Sequence, residues 1–421
     1  MAGKYIYTPI ELSDLFADAT KILPGDTIIK LDKEINYDCN FAFSGSSLAP
    51  VIIKPYVDKG IFKGGFIHIN GHDLRFENME FYYADWVKRY STDLSGNDTD
   101  LDLTKSFEVY GYNVEFYRCI IHDFSDVGSW DNSLNIETKF TECIIYYNGW
   151  QSVDRGHGYN MYGQNSHGRK ILERCIIFSA YRNNIHFNAA TKEQIGFDII
   201  DCINFGTGSV SDPALPHEVN NYILGSEIKL SDINFTRNEI YTNSRMPLNW
   251  GIFLGYNTPV DKLDHITMID NYIDCPRDSL GYNYPVTIGR ILPYSTITGN
   301  YFYGPDFPGM ADSYPLNTYG AARTSGKRTR MIKCDGERGH IVIYNYDEDA
   351  TIDVDLTGIL VTGDNYKLIN VQDFTDIMTG VVGAANMITI PMTGRTISNP
   401  IMGTNYDNTF PRFGCFIIEK I

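Results

Sequence analysis

The sequence has no apolar run approaching the roughly 18 residues that a membrane-spanning helix needs, although 43% of its residues are hydrophobic. It is also short of positive charge, because 35 Lys and Arg face 52 Asp and Glu in 421 residues. The resulting formal charge of -17 argues against a nucleic-acid partner, whose phosphates would be repelled. The first residues lack the apolar core and cleavage site of a secretory leader. We therefore expect neither a membrane nor a nucleic-acid partner.

Cysteine occurs eight times, but without the Cys-x-x-Cys or Cys/His spacing typical of a zinc site. Four of the cysteines belong to a repeated pattern, in which Asn or Cys is followed by apolar strand-forming residues. Its eight copies begin at Asn78, Cys119, Cys143, Cys175, Cys202, Asn238, Asn271 and Asn300. Variable intervals around one fixed position are typical of a solenoid, in which loops vary while a column of side chains stays stacked. The pattern predicts an all-β fold, a right-handed parallel β-helix with a buried column of reduced thiols and asparagines.

The start of the chain supports this prediction. An apolar face formed by Leu12, Leu15, Phe16 and Ala19 predicts a short helix that caps the open end of the solenoid. Strand-like segments follow the turn Pro24-Gly25-Asp26, at Pro50-Val51-Ile52-Ile53-Lys54 and Ile67-His68-Ile69-Asn70-Gly71.

This order of elements resembles the opening of the pectate-lyase-like β-helix superfamily, including alginate lyases of the chondroitinase B type. The resemblance covers roughly residues 8 to 305 and implies an extracellular protein that acts on polysaccharide. The calcium and Lys/Arg pattern of the chondroitinase B type has no residue-by-residue counterpart in this sequence.

The repeat stops near residue 305, and the Asn/Cys pattern gives way to alternating strand-like segments. We predict a β-helix domain with its cap over residues 1–310, a linker over 311–327 and a β-sandwich over 328–421. The sandwich prediction rests on alternating strand-like segments that begin near His340, Ala350, Tyr366, Met387 and Gly414. The domain resembles small sandwiches appended to carbohydrate-active enzymes. We expect it to cap the lower end of the solenoid, with glycan binding as the alternative.

Candidate site residues follow from aligning successive turns of the predicted solenoid. This alignment predicts an outward column of Glu137, Tyr162 and His186, beside a second outward column of Asn135, Asn160 and Asn184. A polar outer face without function is the plain alternative for either column.

A glycine-rich loop before Tyr159 adds further reactive groups. It contains Trp150, Asp154, Arg155 and His157, and Arg182 follows one turn later. In a lyase, Arg155 or Arg182 would neutralise a uronate carboxylate, while His157, His186 or Tyr162 acts as the base. In a hydrolase, Glu137 would work with Asp154 or Glu218. Further along the predicted groove, we expect substrate contacts from Glu218, Arg245 and Trp250.

Oxygen-bearing side chains also cluster in the longest interval of the repeat. Asp98, Asp100 and Asp102 alternate as calcium ligands do, although a solvated acidic loop is the alternative. The sequence predicts no required cofactor, with Ca²⁺ as the one candidate.

The function favoured by the sequence is extracellular cleavage of polysaccharide, by a lyase or a glycoside hydrolase. The alternative is a non-catalytic glycan-binding adhesin or a phage tail or virion protein. The chain would be a monomer as a secreted enzyme, or a homotrimer as a virion component.

Overall fold

The computed structural model describes residues 4–7, 19–30, 39–55, 60–94, 98–130, 137–214, 218–242, 248–275, 282–287, 292–304 and 310–421. The predicted capping helix lies outside the described residues, apart from a short 3₁₀ turn at Ala19–Lys21. Among the described residues no helix is long and apolar enough to span a lipid bilayer.

Three long sheets, each with parallel pairing throughout, wind around one core. We call them sheets A, B and C, and one passage through all three is a coil. Sheet A contains β1 (Lys4–Tyr7), β2 (Thr27–Lys30), β4 (Val51–Pro55), β7 (Leu74–Glu77), β10 (Val114–Tyr117), β13 (Glu137–Thr141), β18 (Arg169–Glu173), β21 (Gln194–Ile200), β24 (Leu230–Thr236), β27 (Leu263–Ile269) and β30 (Thr296–Thr298). Sheet B contains β5 (Gly60–Lys63), β8 (Met79–Tyr82), β11 (Ile120–His122), β14 (Ile144–Tyr146), β19 (Ile176–Phe178), β22 (Ile203–Phe205), β25 (Glu239–Tyr241), β28 (Tyr272–Asp274), β31 (Tyr301–Tyr303) and β32 (Thr318–Gly320). Sheet C contains β3 (Cys39–Phe41), β6 (Ile67–Ile69), β9 (Phe107–Val109), β12 (Val127–Ser129), β17 (Tyr159–Gly163), β20 (Asn183–Ala189), β23 (Glu218–Ser226), β26 (Leu248–Tyr256) and β29 (Tyr282–Thr287).

This architecture confirms the predicted parallel β-helix. The strands form because apolar and polar residues alternate, so every second side chain enters the core. On sheet A, for example, the buried rings of Phe76, Phe116 and Phe140 stack with centroids 5.1 and 4.6 Å apart. Burying each such ring contributes roughly 1.5 to 3 kcal/mol.

The predicted column of Cys and Asn residues lies at the turn between sheets A and B. Strand register places Cys119, Cys143, Cys175 and Cys202 on successive coils. Each thiol donates to a backbone carbonyl of the preceding coil, as in the bond from Cys202 Sγ to Leu172 O, 3.4 Å long. All eight cysteines are buried and free. The prediction of stacked, reduced thiols is therefore confirmed.

Below the thiols the column continues as an asparagine ladder. Cys202 N donates to Asn238 Oδ1, and Asn238 Nδ2 donates to Asn271 Oδ1. Asn271 donates to Asn300, which in turn donates to Asn317, a member that the sequence pattern did not reveal.

The prediction that Asn78 is the first member of the column is wrong by one residue. Because Glu80 pairs with Ile120, Met79 is the residue that aligns with Cys119. Asn78 instead has a φ of 53°, in the left-handed region, as does Arg118 on the next coil. Asparagine is favoured in that conformation too, so the same residue type marks two adjacent positions of the turn.

The C-terminal region contains antiparallel strands, as predicted. One sheet is formed by β33 (Lys327–Lys333), β34 (Arg338–Asn345), β39 (Phe413–Lys420), β36 (Asn365–Asn370) and β37 (Ile377–Val381). The second is formed by β35 (Thr351–Asp355) and β38 (Met387–Pro391), near a 3₁₀ turn at Ala384–Asn386. The segment expected to be a linker contains a short helix, α1 (Met310–Ser313), and β32, which adds the last strand of sheet B.

The sandwich lies along the outer face of sheet B, so the expectation that it caps the lower end is wrong. One apolar cluster joins the outward residues Ile144, Ile176 and Phe205 to Phe413 and Ile417 of the sandwich. The ring of Phe413 stacks on Tyr241 with centroids 4.5 Å apart. An apolar outer face on sheet B would be unfavourable in contact with water, and these sandwich residues bury it.

Charged groups reinforce this contact. Glu239 of sheet B is 1% exposed and accepts hydrogen bonds from Arg328 Nη1 (2.6 Å) and Nη2 (2.8 Å) on β33. Arg330 Nη1 donates to the same carboxylate at 2.9 Å. Because a buried carboxylate is costly without counter-charges, these pairs hold the sandwich in one position.

At the upper part of this contact, His122 lies between two carboxylates. Its Nδ1 is 2.7 Å from Asp123 Oδ2, and its Nε2 is 3.1 Å from Glu80 Oε1. Burial opposes the charged imidazolium, but the bonds to Asp123 and Glu80 outweigh burial and raise the pKa of His122. The ring is stacked between Tyr82 and Tyr146 at 4.9 and 4.7 Å.

Candidate active site

Aromatic rings follow the outer face of sheet C from coil to coil. His68 lies 5.8 Å from Tyr110, Tyr110 6.4 Å from Trp130, and Trp130 5.2 Å from Tyr162, measured between ring centroids. The row continues from Tyr162 to His186 at 5.3 Å. We call these five residues the aromatic row. The rings range from exposed Tyr110 to buried His186, and their spacing is roughly that of adjacent strands. Aromatic rings in such a row suit the apolar faces of sugars.

Two carboxyl groups lie within the aromatic row. Glu108 is on β9 and 8% exposed, and the indole Nε1 of Trp130 donates to its Oε2. Asp126 immediately precedes β12, and its Oδ1 accepts hydrogen bonds from the backbone N–H groups of Val127 (3.0 Å) and Tyr159 (3.2 Å). From strand spacing and rise, the Cα atoms of the two acids are roughly 8 Å apart.

The surroundings of these acids favour their protonated forms. Burial raises the pKa of Glu108 despite the opposing hydrogen bond from Trp130. Burial raises the pKa of Asp126 well above its usual range, and the nearby Glu108 charge raises it further. Two interacting carboxyl groups with raised pKa values can share one proton, because ionisation of the first disfavours ionisation of the second.

A glycine makes room for Glu108. In the outward register of sheet C, Gly128 lies between Glu108 and Tyr162. A Cβ atom at Gly128 would collide with Glu108 Oε2 and contact Trp130 Nε1. The absence of a side chain here therefore allows the Glu108 carboxyl group to lie across the strand against the indole.

A short hairpin stands beside the row, formed by β15 (Trp150–Gln151) and β16 (Gly156–His157). The rings of Trp150 and His157 stack with centroids 5.1 Å apart. Arg155 Nε lies 3.3 Å from His157 Nε2 and donates to it. Burial, followed by the charge of Arg155, lowers the pKa of His157 to about 4, so its imidazole is neutral at pH 7. Asp154 is exposed at the tip of the hairpin.

The base of the hairpin is held by the fully buried Arg89, which belongs to the long insertion between Asn78 and Cys119. Arg89 donates to Tyr147 O (2.6 Å), Gly149 O (2.5 Å) and Asp123 Oδ1 (2.8 Å). Its guanidinium also lies 4.8 Å from the ring centroid of Tyr181. Backbone bonds join the same insertion to Gln151. The hairpin is therefore held in place beside sheet C by a segment that lies roughly 60 residues earlier in the sequence.

The next coil contributes His186 and Arg182. His186 is 8% exposed, and burial, together with the charge of Arg182, lowers its pKa to about 3. Asn183 Nδ2 lies 3.2 Å from His186 Nδ1, which places the proton of the neutral ring on Nε2. Tyr159 contacts His186 at 4.6 Å between ring centroids, and burial raises the pKa of Tyr159 to about 12.

The structure thus brings together most of the predicted catalytic residues. Electrostatic contact links Arg182 to both His157 and His186, and Tyr162 pairs with His186 in strand register. The hydroxyl of Tyr162 donates to Asn188 O at 2.8 Å.

Glu137 does not belong to this group, and its predicted column is wrong. Glu137 opens β13 of sheet A, where it pairs with Arg169. The sheet C strand of that coil is β12, so Gly128 faces Tyr162. The alignment failed because the coil carries extra residues between its sheet C and sheet A strands. Asn135 lies outside the described residues.

The predicted outward column of asparagines is also wrong. Asn160 and Asn184 are fully buried. Asn160 Nδ2 donates to Asn184 Oδ1 at 2.9 Å, and Asn184 Nδ2 donates to Asn204 Oδ1 at 2.6 Å. They form a second internal ladder at the turn from sheet B to sheet C. Neither side chain is accessible to a substrate.

The remaining predicted binding residues lie lower on sheet C. Trp250 on β26 is half-buried and stacks on Phe253, with centroids 5.7 Å apart. Glu218 opens β23, two strands below Tyr162. Arg245 lies outside the described residues.

The three predicted metal ligands are engaged by other partners. Asp100 accepts from Lys88 Nζ and Ser91 Oγ, both at 2.5 Å, and the Lys88 bond contributes most to lowering the pKa of Asp100. Asp98 accepts from Ser152 Oγ, and Asp102 accepts from Thr104 Oγ1 at 2.6 Å. Across the described ranges, no group of three His, Cys, Asp or Glu residues could hold a metal ion.

No protein-family model and no curated protein matches this sequence. Solved structures match it at low identity. The pectate lyase Pel9A is 14% identical, with 73% of this chain and 79% of that chain covered and a TM-score of 0.44. An alginate lyase from Paenibacillus sp. str. FPU-7 is 12% identical, with 76% and 98% covered and a TM-score of 0.43. A tailspike protein of the Acinetobacter baumannii bacteriophage Fri1, a capsular polysaccharide depolymerase, is 9% identical, with 100% and 83% covered and a TM-score of 0.30.

The chain has a parallel β-helix fold. At these identities and TM-scores the matches carry no argument about activity. The chemistry of the site must come from its own side chains.

Sequence reasoning missed Glu108 and Asp126. The signal for Glu108 is the alternation Phe107-Glu108-Val109, which predicts one outward acid between two core residues. The signal for Asp126 is its place two residues before Gly128, on the same face of the strand. Neither acid could be assigned to the outer face of sheet C without knowing that Val127–Ser129 is the sheet C strand of its coil.

Proposed function

We propose that this protein is a glycoside hydrolase that cleaves polysaccharide on the outer face of sheet C. The observation that carries the proposal is the pair Glu108 and Asp126, two interacting acids with raised pKa values. They lie beside the aromatic row, whose rings could stack on sugar rings. Glycoside hydrolysis requires two carboxyl groups that flank the scissile bond and differ in protonation.

The contacts of each acid suggest its role. Asp126 has the more strongly raised pKa, and its Oδ1 already accepts two backbone N–H groups, so Oδ2 is the oxygen that carries the proton. Asp126 would protonate the leaving glycosidic oxygen. The pKa of Glu108 is raised less strongly than that of Asp126, because the Trp130 indole donates to its carboxylate. Glu108 would therefore ionise first of the two and activate water or attack the anomeric carbon.

The same electrostatics disfavour the lyase mechanism. A lyase needs a base that removes a proton from the sugar ring. His157 and His186, with pKa values of about 4 and about 3, are weak bases. Tyr159, with a pKa of about 12, stays protonated at neutral pH. None of these groups has a pKa near the operating pH, where a general base is most effective.

The test is incubation of the protein with a panel of acidic and neutral bacterial polysaccharides. Hydrolysis releases reducing ends without the ultraviolet absorbance of unsaturated uronates, which a lyase would produce. We expect Glu108→Gln and Asp126→Asn each to lower kcat by about a hundredfold or more. The matched control is Glu115→Gln, on the outer face of sheet A, where the acid pairs with Arg75.

Unsaturated products would contradict hydrolysis in favour of the lyase. Tight glycan binding without any cleavage would instead support the non-catalytic adhesin or virion protein, for which light scattering should find a trimer.

A further inference from the structure

Two arginines beside the candidate site, Arg155 and Arg182, have no acidic partner among the described residues. Within the described part of the chain, no carboxylate oxygen lies within 4.0 Å of the guanidinium of Arg155 or Arg182. Most other described arginines are paired with an acid, as Arg169 is with Asp198 at 2.5 Å. In a chain with 52 acidic and 35 basic residues, two adjacent unpaired arginines need a specific explanation.

Both guanidinium groups are half-buried, and both act on the same neighbours. Each shifts the pKa of Tyr159 and of His157 through its charge. Arg155 has one hydrogen bond, to His157 Nε2, and the Nε of Arg182 is buried without a partner. A buried N–H group of a charged side chain is costly when it lacks an acceptor.

The nearest acids do not neutralise this pair. Asp98 and Asp154 lie close enough to act on His157, but Asp98 accepts from Ser152 and Asp154 is exposed at the hairpin tip. The two histidines of the site are held neutral, so they add no charge of either sign. The pair therefore places two positive charges, without a direct carboxylate contact from the described residues, on a protein whose net charge is -17.

The position of the two arginines relative to Asp126 gives a distance along the outer face of sheet C. Tyr159 N donates to Asp126 Oδ1, and Tyr159 also contacts the coil of Arg182 through His186. The arginines thus lie one to two coils below Asp126, which corresponds to roughly 5 to 10 Å along the solenoid. That span matches about one to two sugar residues.

We infer that Arg155 and Arg182 form a subsite for an anionic group on the polysaccharide, one to two sugar residues from the cleaved linkage. This inference rests on the proposed function for its position relative to cleavage. The subsite itself requires only that a glycan occupies the groove. Its ligand is a carboxylate, phosphate or sulfate substituent, because guanidinium groups bind planar or tetrahedral oxyanions through paired N–H donors.

Calorimetry with three probes tests the subsite directly: glucuronate, glucose 6-phosphate and glucose. All three contain a glucose-type ring, which carries a carboxylate, a phosphate or no charged group. We expect either anionic probe to bind at least tenfold more tightly than glucose, with affinity falling as salt increases. The anionic probe that binds more tightly indicates whether the natural group is a carboxylate or a phosphate. Equal binding of all three probes would overturn the inference.

Variants then assign the effect to the two arginines. Arg155→Gln and Arg182→Gln should each weaken the anionic probe about tenfold or more and leave glucose unchanged. Arg75→Gln, on the outer face of sheet A, is the matched control, and thermal unfolding checks that each variant folds. If both variants bind the anionic probe as wild type does, the subsite is refuted.

Glu108→Gln separates this inference from the proposed function. It should abolish cleavage but keep binding of the anionic probe. Binding that depends on the arginines, without cleavage by wild type, would refute hydrolysis and retain the subsite. Equal cleavage of a polysaccharide and its carboxyl-reduced, uncharged form would retain hydrolysis and refute the subsite.

Discussion

Asn271 offers the clearest test of how the turn between sheets A and B is stabilised. Its Oδ1 accepts from the backbone N (2.8 Å) and Nδ2 (3.0 Å) of Asn238. Its Nδ2 donates to Phe235 O (2.8 Å) and to Asn300 Oδ1 (2.7 Å). The side chain is fully buried, so water cannot replace these four bonds.

At about 1 kcal/mol for each hydrogen bond, Asn271→Ala should lower the free energy of unfolding by about 4 kcal/mol. Asn271→Cys should cost less, about 3 kcal/mol, because a thiol keeps one donor for the carbonyl of the preceding coil. Cys202 already makes such a bond on another coil. The expected order of stability is therefore Asn, then Cys, then Ala.

Guanidinium unfolding monitored by circular dichroism measures these differences, and hydrogen exchange shows whether the loss begins at the neighbouring coils. Asn365→Ala is the control, since that side chain is exposed on the sandwich. A loss below about 1 kcal/mol in Asn271→Ala, or a Cys variant less stable than the Ala variant, would refute the reasoning.

Three further predictions concern the sandwich contact and the acid pair. The raised pKa of His122 means that its imidazolium contributes stability fully below about pH 6.5, and that this contribution is lost as pH rises through the folded-state value. His122→Phe should remove that pH dependence from guanidinium unfolding midpoints, and an unchanged profile would contradict it. Glu239→Ala leaves two arginines without their buried counter-charge and should cost about 3 kcal/mol, with faster hydrogen exchange in β33; unchanged exchange there would disprove the contact. Gly128→Ala should displace the Glu108 carboxyl group and lower kcat at least about tenfold at nearly constant Tm, whereas full activity would remove Glu108 from the site.

Much of the solenoid could be predicted from the sequence because its determinants are local. An Asn or Cys at a fixed place in each coil satisfies the same turn carbonyls, so the pattern recurs wherever the turn does. The one error in that column, Asn78, arose because the adjacent left-handed position also favours asparagine. Strand alternation likewise predicted the antiparallel strands of the C-terminal region.

The candidate site was predicted only in part, for a geometric reason. Tyr162 and His186 were aligned correctly because no large insertion separates their strands from the column. Glu137 was misaligned because the sequence does not mark where the sheet C strand of its coil ends, so a residue of sheet A was assigned to sheet C. The same uncertainty hid Glu108 and Asp126, which meet only when β9 and β12 are placed side by side.

The sequence by itself determined the winding of the chain, the buried column of thiols and amides, and the loop that carries Arg155 and His157. Tertiary structure alone decided that the sandwich covers sheet B, that Asn160 and Asn184 are internal, and that two acids lie close together on the outer face of sheet C. The reason is physical: periodicity encodes which side chains enter the core, whereas the distance between side chains of different coils depends on loop lengths and packing that no local pattern records.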